Sequence, residues 1–316
     1  MKTILITGAS GFIGSFLVEK ALEKGWQTWA GIRKSSSKEY LRDERIRFID
    51  LDYADMDKLK AQIAQHGPWD YVVHNAGVTK CVNPDDFEKI NYRHSKHLIE
   101  ALQKSGCIPE KFVLMSSLSA HHPGVRTQYG NSKLKAENFL KSQTDFPYII
   151  FCPTGVYGPR DKDYYLMLKM IQSGWDITAG FEPQKLSFVY VKDLVKALFL
   201  SLENPVDHKT YFLSDGNTYS DAEYTCIAKE VLGKKRVIRL RIPLWLLRAV
   251  SVLSETIAGW RNQPSTLNRD KYEIMKQRDW TCDTFPVVYD LDFRADYALK
   301  RGLMESVEWY RTNGWL

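Results

Sequence analysis

Apolar and polar residues alternate in blocks along the first half of the chain. Short, continuously apolar runs, such as Ile4-Leu5-Ile6 and Tyr148-Ile149-Ile150-Phe151, are typical of strands that are buried on both faces of a sheet. Between them lie longer segments with helical periodicity. The predicted strands are Thr3–Thr7, Gln27–Ile32, Arg45–Ile49, Tyr71–His74, Phe112–Met115 and Tyr148–Phe151, and the predicted helices are Phe12–Lys24, Asp55–His66, Pro84–Lys104 and Tyr129–Lys141. This alternation predicts an α/β fold, a parallel sheet covered by helices on both faces.

The pattern changes after residue 152, where proline, glycine and aromatic residues become frequent. Helices predicted at Lys192–Leu202 and Asp221–Leu232 alternate there with short strand-like runs. We therefore expect two domains, a first one over residues 1–152 and a smaller α/β domain over residues 153–316, with some segments of the latter returning to the first sheet.

A further helix is predicted between Pro243 and Gly259, with an apolar stripe of Leu246, Val250, Leu253 and Ile257. The favoured interpretation is that this stripe faces the core of the second domain. A lid over an apolar substrate and a patch for a membrane surface are the alternatives.

Composition excludes several classes of protein. The chain has 316 residues with 44 Lys+Arg against 38 Asp+Glu, and its longest basic run is Lys234-Lys235-Arg236, so we expect no nucleic-acid partner. Its five cysteines never form a C-x-x-C pair, which predicts neither a metal site nor disulfides and suits a reducing, cytoplasmic location. Because Arg248 and Glu255 interrupt the longest apolar stretch, we predict no transmembrane segment.

A glycine-rich loop follows the first predicted strand and opens the first predicted helix, in the run T-G-A-S-G-F-I-G. Glycines at these places allow a tight turn and a close approach of the backbone to a pyrophosphate, while the helix N-terminus favours negative charge. The loop predicts a dinucleotide site whose cofactor-binding residues are Gly8, Ser10, Gly11, Phe12, Ile13 and Gly14.

The end of the second predicted strand indicates which nucleotide is bound. The chain has Arg33 and Ser35 there, with no carboxylate to accept the ribose hydroxyls. A guanidinium and a hydroxyl suit a 2′-phosphate, so the predicted cofactor is NADP, with NAD as the alternative. Asp50 and Leu51, which end the third strand, are expected to flank the adenine, although Asp50 could equally cap the following helix.

Tyr129 and Lys133 are candidates for acid–base chemistry because their i,i+4 spacing places both side chains on one face of a helix. A neighbouring ammonium favours the phenolate and is expected to bring the pKa of the tyrosine toward neutrality. Two serines, Ser116 and Ser117, end the fifth strand, at the sheet edge where such folds bind ligands. The fourth strand ends in Asn75, Ala76 and Gly77, whose small residues would let a cofactor pass close to the backbone.

These motifs together resemble the short-chain dehydrogenase/reductase superfamily, in particular its extended branch of epimerases, dehydratases and reductases. The resemblance rests on T-G-A-S-G-F-I-G, H-N-A-G, the serine pair, Y-G-N-S-K, P-T-G-V-Y-G-P-R and F-V-Y-V-K-D-L-V-K-A-L, and it spans essentially the whole chain. It implies a Rossmann-type, doubly wound parallel sheet with a C-terminal substrate domain. The roles it implies are Ser117, Tyr129 and Lys133 as catalytic residues, Asn91 as a support of the cofactor site, and Pro153 and Val156 as lining of the nicotinamide pocket, with Tyr129 and Lys133 also touching the cofactor.

Two departures from the extended branch narrow the expected function. Leu118-Ser119 follows the catalytic serine, where sugar-nucleotide dehydratases carry an acidic pair, so dehydration is disfavoured. The loop from Ser117 to Tyr129 is short; its His121 and His122 could act as auxiliary acids, but we favour solvated loop histidines. Asp193 is interpreted as a helix N-terminal charge, and Val307 and Tyr310 as packing residues.

The segments M-K-Q-R-D-W-T-C-D and G-L-M-E-S-V-E-W-Y-R-T-N-G-W-L look most similar to hydroxysteroid dehydrogenase-like and dihydroflavonol reductase-like members. The function expected is hydride transfer between a nicotinamide and a secondary alcohol or ketone of a small-molecule substrate. A nucleotide-sugar epimerase that retains NAD is the first alternative, and a non-catalytic nucleotide sensor is the second. By the same resemblance, the helices predicted at Pro84–Lys104 and Tyr129–Lys141 could pair across a homodimer.

Overall fold

The computed structural model describes residues 1–125, 127–260, 265 and 267–316. The chain divides into two compact units that interleave in sequence. The first unit comprises residues 1–121, 128–152 and 195–211, and the second comprises residues 122–127, 153–194 and 212–316.

The strands in the described residues are β1 (Thr3–Thr7), β2 (Gln27–Gly31), β3 (Arg47–Ile49), β4 (Tyr71–His74), β5 (Lys111–Met115), β6 (Tyr148–Pro153), β7 (Gly155–Tyr157), β8 (Trp175–Ala179), β9 (Lys185–Leu186), β10 (Phe188–Tyr190), β11 (Lys209–Leu213), β12 (Tyr219–Ser220), β13 (Ile238–Ile242) and β14 (Asp279–Trp280). Seven of these described strands form one sheet in the order β11-β6-β5-β4-β1-β2-β3. The strands from β6 across to β3 pair in parallel. The predicted Rossmann-type sheet is confirmed, and its strand order reverses between β1 and β4, the place where such sheets bind ligands.

Helices flank this sheet and fill the second unit. They are α1 (Phe12–Glu23), α2 (Met56–His66), α3 (Asp85–Phe87), α4 (His94–Lys104), α5 (Gln128–Lys141), α6 (Asp163–Gln172), α7 (Val191–Glu203), α8 (Asp221–Leu232), α9 (Leu244–Trp260), α10 (Arg269–Met275), α11 (Phe285–Leu291) and α12 (Leu299–Thr312). The single helix predicted from Pro84 to Lys104 is interrupted, because a π-helical segment, Glu88–Arg93, joins α3 to α4. In the described ranges, no helix combines the length and the apolarity needed to cross a membrane.

Burial explains why the strands lie where they do. Every residue of β4, β5 and β6 is buried, as expected for strands covered on both faces. The second unit has a core of its own, rich in aromatic residues, in which Val307 and Tyr310 of α12 are almost fully buried. The interpretation of these two residues as packing residues is confirmed.

The expected orientation of α9 is wrong. Leu246, Val250, Leu253 and Ile257 are exposed large hydrophobic residues, and the side of the helix that is buried carries Leu247 and Ser251. Helical periodicity identifies an apolar stripe, but it does not reveal whether the protein itself covers that stripe.

Candidate functional site

The loop after β1 is shaped by close backbone contacts. Gly8 has a φ of +65°, a conformation that L side chains rarely adopt, and a Cβ there would lie 2.8 Å from the Cα of Ala76. A Cβ on Gly14 would lie 2.1 Å from the carbonyl oxygen of Gly8, so the first turn of α1 can pack against the loop only with glycine at this position. The loop is therefore held against the ends of β1 and β4 at the point where the strand order reverses.

The start of α1 fits the phosphates of a dinucleotide. Its N-cap is Gly11, which has no side chain to accept a hydrogen bond from the helix. The first turn of the helix, which includes Phe12 and Ile13 and is fully described, carries no acidic residue. Ser10 precedes the cap in the same loop. Backbone N–H groups at a helix start attract anions, especially where no carboxylate competes for them.

The residues predicted to select the nucleotide lie in two neighbouring loops. Arg33 and Ser35 are exposed in the turn that follows β2. Asp50 follows β3, and its carboxylate accepts a hydrogen bond from the backbone N–H of Lys34 at 3.3 Å. Leu51, the next residue, is buried. The basic turn and the end of β3 thus lie side by side, as the hypothesis of adenine and 2′-phosphate binding requires.

Ser117 and Tyr129 are brought into contact beside the end of β5. The two side chains share a hydrogen bond, although 11 residues separate them in the chain. Lys133 lies one helical turn beyond Tyr129 on α5 and is almost fully buried, and its Nζ donates to the carbonyl oxygen of Met115 at 2.8 Å. A hydroxyl, a phenol and an ammonium therefore converge on the carboxyl edge of the sheet.

Burial sets the ionisation of this group. It raises the pKa of Tyr129, an effect that the hydrogen bond with Ser117 offsets in part. The net direction is opposite to the one expected from the Tyr129–Lys133 spacing. Burial also lowers the pKa of Lys133 to about 8, and the carboxylate of Glu137 raises it in part. The phenol is thus protonated at neutral pH in the chain without a bound nucleotide.

Gly77 and Asn91 complete the surroundings of Lys133. A Cβ on Gly77 would lie 2.9 Å from both the Lys133 Nζ and the Asn91 Oδ1, so the lysine can reach this place only past a glycine. Asn91 lies in the π-helical segment, where its side chain binds both backbone groups of Val78, at 2.8 and 3.0 Å, and the Ser132 hydroxyl at 3.0 Å. Single π-helical turns often occur at functional sites.

Glu137 is the residue that sequence analysis missed. Its carboxylate is fully buried and accepts hydrogen bonds from Ser116 and from His121 at 2.8 Å, with the Lys141 ammonium at 3.2 Å. Tyr129, Lys133, Glu137 and Lys141 follow one another at i,i+4, and this spacing was a signal that could have identified it.

The same carboxylate shows that the expectation of solvated loop histidines is wrong for His121, which is half-buried and paired with Glu137. His122 is half-buried as well, and its Nε2 bonds the carbonyl oxygen of Asp279 at 2.7 Å. His121, Glu137 and Cys152 each offer a potential metal ligand, and these atoms lie within 4.8 Å of one another. Because Ser116 and Lys141 already occupy the carboxylate oxygens, we interpret the cluster as a hydrogen-bonded one, and the absence of a metal stays a prediction.

A second buried network joins the ends of β1 and β4. Nδ1 of His74 bonds the Thr7 hydroxyl at 2.8 Å and Nε2 bonds the Ser95 hydroxyl at 3.0 Å. The Thr7 hydroxyl also accepts from the backbone N–H of Ala76 at 3.1 Å, in the loop that holds Asn75. Burial lowers the pKa of His74 to about 3, so the imidazole is neutral and positions the loops without titrating near pH 7.

The remaining predicted residues lie in the second unit. Pro153 ends β6 and is buried, whereas Val156 lies in β7 and is half-buried. Asp193 lies in the first turn of α7, as expected for a helix N-terminal charge, and it also accepts hydrogen bonds from the backbone N–H groups of Asp296 and Tyr297 at 2.9 and 3.0 Å.

Comparison with known proteins accounts for this arrangement. Residues 4–213 match the model of the NAD dependent epimerase/dehydratase family, which is more than half of the chain. The chain belongs to this family. Its members are NAD-dependent enzymes, so the predicted superfamily, the nicotinamide cofactor and the assignment as an enzyme are confirmed.

Relatives within and around the family differ in activity. The chain is similar to the ceramide reductase of Caulobacter vibrioides, with 26% identity over 317 residues that cover 99% of this chain and 96% of that protein. It is also 26% identical to N-acetyl-alpha-D-glucosaminyl-diphospho-ditrans,octacis-undecaprenol 4-epimerase of Escherichia coli, over 97% of this chain and 94% of that one.

Solved structures share the fold. The UDP-glucose 4-epimerase of Thermotoga maritima, solved with UDP-glucose, superposes with a TM-score of 0.78 at 22% identity, covering 98% of this chain and 99% of that one. At this identity the likeness concerns the fold alone.

Proposed function

We propose that this protein is an NADP-preferring reductase that interconverts a ketone and a secondary alcohol, with Ser117, Tyr129 and Lys133 as its catalytic residues. The observation that carries the proposal is the hydrogen bond between Ser117 and Tyr129 at the carboxyl edge of β5, with Lys133 buried one helical turn away. Because the two hydroxyls are hydrogen-bonded to each other, both can reach a single substrate oxygen, one as the proton donor and the other as a hydrogen-bond donor.

The protonation states suit reduction. When bound, the nicotinamide supplies the hydride for reduction or accepts it in the reverse direction. Tyr129 is the proton donor to the substrate oxygen, and its raised pKa keeps the phenol protonated at neutral pH. Ser117 donates a hydrogen bond that polarises the same oxygen. Lys133 donates to the Met115 carbonyl. Its remaining N–H groups would hold the ribose of the cofactor.

The other predicted cofactor contacts are part of this proposal. Gly8, Ser10, Gly11, Phe12, Ile13 and Gly14 would hold the phosphates, and Arg33, Ser35, Asp50 and Leu51 would hold the adenosine end. Asn75, Ala76, Gly77, Asn91, Pro153 and Val156 would contact the nicotinamide end. We also keep residues 1–152 and 153–316 as the cofactor and substrate domains.

For the substrate we propose a ketone attached to a long hydrocarbon chain. The reductase and the epimerase named above act in different reactions, but ceramide and undecaprenol both carry long apolar chains. An epimerase with a lipid-linked substrate is the second candidate, because that relative also shares 26% identity with this chain over nearly its whole length.

Nucleotide binding separates the two candidates. We expect the freshly purified protein to release little nucleotide on denaturation and to bind NADPH at least tenfold more tightly than NADH, a difference of about 1.4 kcal/mol. Arg33→Ala is expected to abolish that difference, whereas Lys34→Ala, which removes the adjacent exposed charge, is expected to keep most of it. Stoichiometric release of NAD would instead establish the epimerase with a retained cofactor.

Tyr129→Phe tests the catalytic assignment. The variant keeps the ring and loses only the hydroxyl, so we expect it to bind NADPH normally and to lose most of its turnover of long-chain ketones. Because general acid catalysis contributes roughly 100- to 10,000-fold, a smaller loss would contradict the role of Tyr129. A wild-type protein that binds NADPH but turns over no ketone would favour the nucleotide sensor.

A homodimer that pairs the segments Pro84–Lys104 and Tyr129–Lys141 of two copies is a proposal that rests on the family resemblance. Light scattering coupled to size-exclusion chromatography measures it directly, and a monomer at micromolar concentration would contradict it.

A further inference from the structure

The outward side of α9 is an extended apolar surface. At about 100° per residue, Trp245, Leu246, Val250, Leu253, Ile257 and Trp260 occupy an arc of about 140° on one side of the helix. All six are exposed, Trp245 by 72%, Leu253 by 61% and Trp260 by 83%. The two charged residues of the helix, Arg248 and Glu255, both fall outside this arc. We call these six side chains the α9 apolar face.

The strand that leads into α9 continues the exposed apolar character. β13 pairs in parallel with β8 and joins α9 through Pro243. On one side of this two-stranded ribbon, Ile238 and Leu240 lie opposite Trp175 and Ile177, and all four are exposed. The other side carries Arg239, which pairs with the nearly buried Asp176 at 2.6 Å. One side of the ribbon thus carries a paired arginine and aspartate, and the other side is apolar and exposed.

The chain segment that leads into α9 and forms it carries a net positive charge. Residues 234–260 contain six Lys and Arg against the single acidic residue Glu255, which pairs with Arg269 at 3.4 Å. Among the six, Lys235, Arg236 and Arg248 are exposed. An exposed apolar helix face in a segment of net positive charge, with the exposed Arg248 on the helix itself, is complementary to a bilayer that contains anionic lipids.

We propose that the α9 apolar face binds the surface of an anionic phospholipid bilayer, with the helix lying flat in the headgroup region. Its 17 residues span about 25 Å, and a tryptophan stands near each end, the residue type that prefers the membrane interface. Pairing of two copies through this face would bring two segments of the same net positive charge together, which like-charge repulsion opposes.

Vesicle binding tests this proposal without any assumption about the reaction catalysed. Full-length protein is mixed with vesicles of equal parts phosphatidylglycerol and phosphatidylcholine, and the bound fraction is measured by flotation. Leu253→Glu places a charge in the middle of the α9 apolar face, and we expect it to weaken binding by at least roughly tenfold. Met304→Glu on α12 is the matched control, because Met304 is 55% exposed and lies outside α9, and it should bind like the wild type.

Two further measurements distinguish membrane binding from self-association of the protein. Wild-type binding should weaken on pure phosphatidylcholine and at high salt. Brominated lipids should quench tryptophan fluorescence in the wild type but not in Leu253→Glu.

Equal vesicle binding by Leu253→Glu and Met304→Glu, or no vesicle binding by the wild type, would overturn the proposal. If Leu253→Glu instead converts a dimer to a monomer in light scattering, the face contacts a second copy. Normal NADPH binding by Leu253→Glu establishes that the variant is folded.

Discussion

The burial of the Lys133 ammonium lowers the stability of the folded protein. The unfolded chain holds this lysine with an ordinary pKa of 10.5, whereas burial lowers the folded value to about 8. Between these values the unfolded chain binds more protons, so the stability of the wild type rises as the pH rises through this window. Below pH 8, keeping the ammonium buried costs on the order of 3 kcal/mol, since each unit of pKa corresponds to about 1.4 kcal/mol.

Lys133→Met is therefore expected to raise the free energy of unfolding at pH 7 while it eliminates turnover. The variant loses the hydrogen bond to the Met115 carbonyl, which costs about 1 kcal/mol of stability. The free energy of unfolding is therefore expected to rise by about 2 kcal/mol in total. This difference in the free energy of unfolding should shrink between pH 8 and pH 10.5, because the wild type becomes more stable as the pH rises through that window. Urea titrations of both proteins at several pH values measure the difference. A variant that is less stable than the wild type at pH 7 would show that the ammonium stabilises the fold, contrary to this assignment.

The sequence identifies the side chains proposed to be catalytic better than it identifies the side chains that hold them in place. Ser117, Tyr129 and Lys133 belong to short motifs at strand and helix ends, so their convergence follows from the order of the elements. The contact of Glu137 with His121 depends on the path of one short loop, and the His74 network depends on the register of Thr7 against His74, neither of which is encoded in a local pattern.

At the scale of elements, α1 packs so closely against the glycine-rich loop that the contact leaves little space for a side chain. A Cβ on Gly14 would lie 2.1 Å from the Gly8 carbonyl oxygen, whereas a Cβ on Gly11 would lie 3.3 Å from the same atom. Gly11 also has a φ of −76°, which any residue adopts. Two glycines in one motif thus face different steric demands.

Gly14→Ala is expected to displace α1 from the loop and to destabilise the protein by about 1–3 kcal/mol, with a loss of nucleotide affinity of roughly tenfold or more. Gly11→Ala serves as the comparison and should cost less than about 1 kcal/mol, since only a few tenths of an ångström are needed for accommodation. Thermal unfolding and NADPH titration report the two effects separately. Equal losses in the two variants would show that the contact at Gly14 is not decisive.

Helices and strands with strong periodicity could be predicted from the sequence. The places where a helix is interrupted, and the side of a helix that the protein covers, could not. The helix predicted at Tyr129–Lys141 begins one residue earlier, at Gln128, but the π-helical segment Glu88–Arg93 gives no periodic signal of its own. α9 shows the same limit, because Leu246 and Leu253 have the spacing of core residues although they face outward. At the scale of the molecule, β11 joins the sheet beside β6 from residue 209 onward. The sequence led us to expect that some segment after residue 152 returns to this sheet, but the regular alternation of the first half does not indicate which one.

The most buried imidazole of the molecule makes one defined contribution to the pH dependence of its stability. His74 is fully buried at the centre of the sheet, and its pKa falls from 6.5 to about 3 on folding. Between these two values the unfolded chain binds one more proton than the folded chain, so stability is lost as the pH falls below 6.5. Glu137, whose folded pKa is lowered, acts in the same direction at more acidic pH.

We expect the free energy of unfolding to fall by about 1.4 kcal/mol for each pH unit below 6.5 through His74 alone. His74→Gln retains an amide that can bond Thr7 and Ser95 but cannot titrate, so its stability curve should be flatter by that slope between pH 6.5 and pH 4.5. At pH 8 the imidazole is neutral in both states, and the two proteins then differ only by the quality of these hydrogen bonds. Urea titrations followed by tryptophan fluorescence at each pH measure the slopes. Parallel curves for the wild type and the variant would mean that His74 does not remain neutral in the folded protein, and the Thr7–His74–Ser95 network would then have to accommodate a buried charge.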